Sequence, residues 1–275
     1  MSALWENYVF RRKEQVFELW EEMFARRRTK VLYIAGCGFD VRVTSVLKQF
    51  LHTAAASGFQ IDRATLALVE FGGYELDKEL QDQTQQNGSA LRGMFTGGGD
   101  VVSVPLKLAS EEADFRVSHA LQSGTQSVLE LIRDNTDVLL DVSSLPRVVY
   151  LSLMTGILHA LIKDKNAGDA LAARGVNFQV LVAEDARLDA RIRSEDPSED
   201  LVMIPGFGGG IKVESMAGWP VVWFPILGEG RTAQFDKVAD LAEIPSDAEI
   251  CPILPHPSKD PRRGDALLVE FRTQL

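Results

Sequence analysis

At 275 residues, 45% hydrophobic and 25% charged, the chain has ordinary globular composition and length enough for a sizeable core, which excludes a disordered chain. Its formal charge of −10 argues against duplex nucleic acid or an anionic membrane as the main partner, since both require a basic face. Cys37 and Cys251 show neither disulfide nor metal spacing, no signal-peptide pattern opens the chain, and no apolar run reaches the roughly 18 residues of a membrane span; a soluble, cytoplasmic protein is expected.

Along the chain, Val9, Val16, Phe17, Trp20, Met23 and Phe24 recur at helical spacing and predict one amphipathic helix over residues 8–28. It ends on Arg26, Arg27 and Arg28, cations that suit the negative pole of the helix dipole. Residues 31–35 form a near-continuous apolar strand, and a helix follows over 42–56. The next strand is 65–71, with a polar surface helix over 75–87 and a strand over 101–106. Residues 111–135 read as helical, with a break near Gly124. A buried-type strand over 137–142 runs into Ser143-Ser144-Leu145-Pro146-Arg147 and an apolar helix to about residue 163, with a serine oxygen as the expected cap and Pro146 in the first turn. A strand over 177–183 and a short helix over 187–193 come next.

Strands alternating with helices through short connections predict an α/β, Rossmann-like, doubly wound, mainly parallel sheet. Regularity falters over 194–219, where a glycine loop spans 205–210. It returns as strand 221–227, helix 232–241 and strand 250–254, a C-terminal βαβ-like extension with an extended proline-rich tail over 252–265. The expected organisation is an N-terminal helix over 1–30, a Rossmann-like core over 31–195, and an extension or small lobe over 196–275.

In such a sheet, ligands bind beyond the carboxyl ends of the strands. That edge collects Gly36, Gly38, Asp40 and Arg42 from the first strand, Glu70 from the second, Asp141, Ser143, Ser144 and Arg147 from the fourth, and Glu184 and Asp185 from the fifth. These are the candidate ligand-binding residues, with Asp40, Asp141 and Glu184 the candidate acids or bases if the protein is an enzyme. Each has a plainer explanation. The glycines can simply make a tight turn, Asp40 and Arg42 can pair with each other, and the serine–proline cluster can simply start a helix. Arg147 is less easily explained, because a first-turn cation opposes the helix dipole unless an anion is near. Glu70 stands where such folds often place an acid on ribose hydroxyls, yet farther beyond Gly38 than the roughly 20 residues those units use.

Cys37 has no histidine close in sequence, and His52, His119, His159 and His256 lack ligand spacing, so no metal site is expected. The G-x-G-x-x-G fingerprint fails because Val occupies position 41. Residues Leu32 to Asp40 resemble the glycine-rich first motif of S-adenosylmethionine-dependent methyltransferases over about a dozen residues. The Asp141-to-Arg147 strand end resembles, at the level of fold, the hydroxyl-rich loop of CARF-type sensors, Rossmann-like domains that bind signalling oligonucleotides. The leading expectation is a domain binding a nucleotide-type or other phosphorylated ligand, as a sensor or a subunit of an assembly. The alternatives are a methyltransferase using S-adenosylmethionine, a nucleotide transferase or hydrolase, and a non-catalytic interaction subunit. A protein partner or homo-oligomer would dock through the N-terminal helix.

Overall fold

The structure, a computed structural model, describes residues 9–25, 27–72, 76–95, 98–106, 113–162, 175–185, 220–255 and 260–275. Contacts divide the chain into two units, Met1–Arg191 with Ile204–Phe207, and Ile192–Met203 with Gly208–Leu275. The helix expected over 187–193 and the irregular stretch over 194–219 lie outside the described residues. No helix among the described residues is long and apolar enough to cross a membrane.

The first unit is built on a five-stranded parallel sheet of β1 (Thr29–Gly36), β2 (Ile61–Phe71), β3 (Asp100–Leu106), β4 (Asp137–Asp141) and β5 (Asn177–Leu181), in the order β3-β2-β1-β4-β5. Alternate residues of β1 serve opposite faces. Val31, Tyr33 and Ala35 pack with helices α1 (Glu14–Phe24), α2 (Ser45–Ser57) and α3 (Lys78–Phe95), through Trp20, Phe24, Leu47, Phe50, Leu91 and Phe95. Leu32 and Ile34 pack on the other face with α4 (Ala113–Ile132) and α5 (Arg147–Ile162), through Leu121, Val128, Val149, Leu153 and Ile157. Helices on both faces of a parallel sheet make this a Rossmann-like, doubly wound fold. Pro105, which cannot donate to a ladder, is accommodated because β3 is an edge strand.

Several element bounds differ from the sequence expectation, each for a local reason. Helix α1 begins at Glu14 rather than near residue 8; Arg11, Arg12 and Lys13 would place three cations at the positive pole of an earlier start, and Lys13 instead has a positive φ of 52°. Its apolar face is buried inside its own unit, with Trp20 and Phe24 at most 1% exposed and Trp20 Nε1 donating to Gln179 Oε1 of β5 at 3.0 Å. The surface helix runs past residue 87 to Phe95, because Leu91 and Phe95 reach the core. Helix α4 is unbroken at Gly124, where a Cβ would lie 2.0 Å from Leu106 Cδ2; the glycine lets the helix pass close over β3, so packing overrides its poor helix propensity.

Beyond α1, Arg27 turns into the sheet. Its guanidinium pairs with Asp137, a fully buried carboxylate that also accepts from Thr136 Oγ1 at 2.6 Å and Asn177 Nδ2 at 2.9 Å. Arg27→Ala should cost about 1–2 kcal/mol, since the arginine is itself 41% exposed and two neutral donors survive. Urea titration checks this, with Arg27→Lys recovering part of the loss.

The second unit holds β6 (Val222–Trp223), α6 (Thr232–Leu241), β7 (Glu249–Ile250) and α7 (Arg263–Glu270). Strands β6 and β7 pair in parallel as a separate two-stranded sheet, extended by an Ile226–Ile253 bridge, so β6-α6-β7 is a βαβ unit. Leu227, Phe235, Leu267 and Phe271 form its core. The tail does not stay extended to residue 265, as expected; α7 begins at Arg263, because Leu267 and Phe271 share one helical face and are buried.

Candidate functional site

The strand order reverses between β1 and β4, so the turns that follow these two strands are neighbours. They are in direct contact. Ser144 Oγ donates to Gly36 O at 2.9 Å. A Cβ on Gly36 would lie 2.7 Å from Leu145 Cδ2 and 2.9 Å from Ser144 O, and one on Gly38 would lie 2.8 Å from Ser144 O. Both glycines therefore serve the approach of one turn to the other. Gly36, Gly38 and Ser144 form the floor of the edge.

Asp40 caps the 3-10 turn Val41–Thr44 that leads into α2. Its Oδ1 accepts from Arg42 N at 2.8 Å and Arg42 Nε at 2.9 Å, and its Oδ2 from Arg42 Nη2 at 2.6 Å. Partial burial works against the Asp40 carboxylate, but the Arg42 hydrogen bonds and charge outweigh it and hold its pKa below the ordinary value. The pair is thus a local fork, with the two side chains 20% and 17% exposed.

Asp141 closes β4 and is 1% exposed. It accepts from Tyr33 OH at 2.7 Å, Ser143 N at 3.0 Å and Ser143 Oγ at 2.5 Å. Ser143 Oγ in turn accepts from Ala183 N at 2.8 Å, so one carboxylate ties β1, β4 and the exit of β5 together. Burial pushes the Asp141 pKa above the usual carboxylate range despite these bonds, and burial with the neighbouring Asp141 pushes Tyr33 well above an ordinary phenol. Neither serine caps α5 as expected, because both hydroxyls are turned to the strand ends, and Pro146 precedes the first helical residue rather than filling the first turn. Arg147, that first residue, is exposed and makes no ion pair with any described residue.

Glu70, near the end of β2 on its α3 face and close to Cys37 of the β1 turn, accepts from Arg92 Nη2 at 2.8 Å and Ser103 Oγ at 3.1 Å. Glu184 and Asp185 are exposed just beyond β5. Cys37 is half-buried, its Sγ 3.6 Å from Thr84 O. Burial, then Glu70, push its thiol up, with Arg92 opposing, which disfavours the thiolate form a nucleophile needs. Among the described residues no group of His, Cys, Asp and Glu could hold a metal ion.

Two residues at this edge stand outside the candidates that the sequence offers. Asn87 of α3 donates through Nδ2 to both Gly38 O at 2.9 Å and Asp40 O at 3.1 Å. It marked the expected end of a surface helix, and only the longer α3 shows it to be a clamp on the β1 turn. Phe39 lies between Gly38 and Asp40, and the residue is 40% exposed in a polar turn. An apolar residue interrupting glycines and an acid was the available cue. No protein-family model matches this chain, and no curated protein matches it.

Proposed function

We propose that the first unit binds a nucleotide-type or other phosphorylated ligand at the carboxyl edge of β1 and β4, as a sensor or as a subunit of an assembly. The observation that carries this reading is Arg147. It is exposed in the first turn of α5, beside the point where the strand order reverses, and has no carboxylate partner among the described residues. A cation there opposes the helix dipole; a bound anion would offset that cost and accept from the arginine. Ser143 and Ser144 flank the same turn, while Asp40 and Arg42 border the adjoining one.

Thermal shift against nucleotides, cyclic oligonucleotides and S-adenosylmethionine tests the reading. A ligand at a hundredfold excess over its Kd should stabilise the folded state by about 2.7 kcal/mol. Arg147→Ala should weaken that ligand about tenfold, while the melting temperature of the free protein holds or rises slightly, since the side chain makes no described contact and opposes the helix dipole. A panel that shifts nothing overturns the proposal. A shift with S-adenosylmethionine alone would move the assignment to a methyltransferase.

A further inference from the structure

From the β1 turn we infer that the ring of Phe39 is a stacking platform for a flat aromatic base, and that Asn87 is the residue that positions it. This rests on the ligand-binding reading above and narrows it, from phosphorylated ligands in general to those carrying a base.

A lone exposed apolar side chain is common on protein surfaces and by itself means little. Phe39 differs in how its backbone is held. The carbonyl before it, on Gly38, and the carbonyl after it, on Asp40, both accept from the one amide of Asn87. Asp40 is fixed further by its fork to Arg42, and Gly38 lies against Ser144 O, with no room for a Cβ. Side chains and backbone from α3, the 3-10 turn and the β4 turn thus hold the backbone on either side of a phenylalanine that stays 40% exposed. A partly exposed aromatic residue on a turn whose backbone is hydrogen-bonded on both sides has less ordering entropy to lose when it meets a partner. A base offers the matching flat face, and aromatic stacking tolerates any base identity. The adjoining turn leads directly into Arg147, which suits the phosphate of the same ligand.

The test uses calorimetric titration of the full chain with AMP, GMP, CMP, UMP and ribose 5-phosphate. At least one nucleotide should bind roughly ten- to a hundredfold more tightly than ribose 5-phosphate. Phe39→Ala should bring that nucleotide to the level of ribose 5-phosphate without moving ribose 5-phosphate itself, and Phe39→Trp should restore the gap. Asn87→Asp, which keeps the size but loses the donor, should weaken the nucleotide severalfold, spare ribose 5-phosphate, and speed amide exchange at Phe39 and Asp40. A purely structural Asn87 would move both ligands equally. Equal binding of the nucleotides and ribose 5-phosphate, or a Phe39→Ala variant with the gap intact, overturns the stacking inference and leaves the anion site standing. No binding by any of the five, with no thermal shift from the cyclic oligonucleotides or S-adenosylmethionine either, overturns both.

Discussion

Asp141→Ala should cost about 3–4 kcal/mol, the largest effect expected of any residue at the site. The change strands the Tyr33 hydroxyl and both donors of Ser143, and each buried unsatisfied group costs about 1–3 kcal/mol. Relief from burying a charge offsets part of that sum. Asp141→Asn keeps the shape and an acceptor and should cost less. The two also differ in pH dependence. Because the native pKa of Asp141 is raised, the folded state holds this proton more readily than the unfolded chain. Its contribution to stability is therefore fully present below the ordinary carboxylate value and is lost as pH rises through the raised one. Urea titrations from pH 8 down to about pH 4 should show the wild type gaining on Asp141→Asn as pH falls. The opposite trend would show that the network, not burial, dominates.

Gly36→Val should cost about 3 kcal/mol and, with it, abolish the ligand binding proposed for this edge. The first added carbon already falls 2.9 Å from the backbone oxygen of Ser144, which cannot rotate away, and 2.7 Å from Leu145 Cδ2, whose side chain is itself buried. Branching at that carbon adds two further methyl groups. Relief requires the β4 turn to lift, which breaks the bond from Ser144 Oγ to Gly36 O. Ser144→Ala provides the control: it removes the same bond without the clash and should cost only about 1 kcal/mol. A Gly36→Val protein no less stable than Ser144→Ala would mean the turns do not pack as described.

What could be read from the residues follows how far apart the interacting groups lie. Strands β1, β2 and β4 announce themselves as continuous apolar runs, and their alternation with helices leads directly to a parallel sheet. The edge on which the candidates gather follows from that topology. Who bonds to whom does not. Ser144 reaches Gly36, and Tyr33 reaches Asp141, each across 108 residues, and Asn87 reaches Gly38 across 49. Local spacing could place Asp40 beside Arg42, two residues on, and there the simple expectation of a pair matches the geometry. It could not place Glu70, whose partners Arg92 and Ser103 depend on where α3 and β3 pass. Helix α7 is masked by the prolines that precede it, and the full length of α3 by Gly88 and Gly93, because glycine and proline weaken the pattern while buried Leu91 and Leu267 sustain the structure.

The central position of β1 has a consequence for synthesis. One of its two neighbours, β2, follows within a helix's length, but the other, β4, lies about a hundred residues downstream, with Tyr33 opposite Leu139. A nascent chain made only as far as β3 would leave β1 an edge strand with one ladder open. Until β4 clears the ribosome, that ladder and the apolar residues beside it are available to other chains or to chaperones. Pairing over such long separations is also slow, because loop closure must precede any gain from contact. The central strand of the sheet is thus among the first made, yet gains its second neighbour only about a hundred residues later.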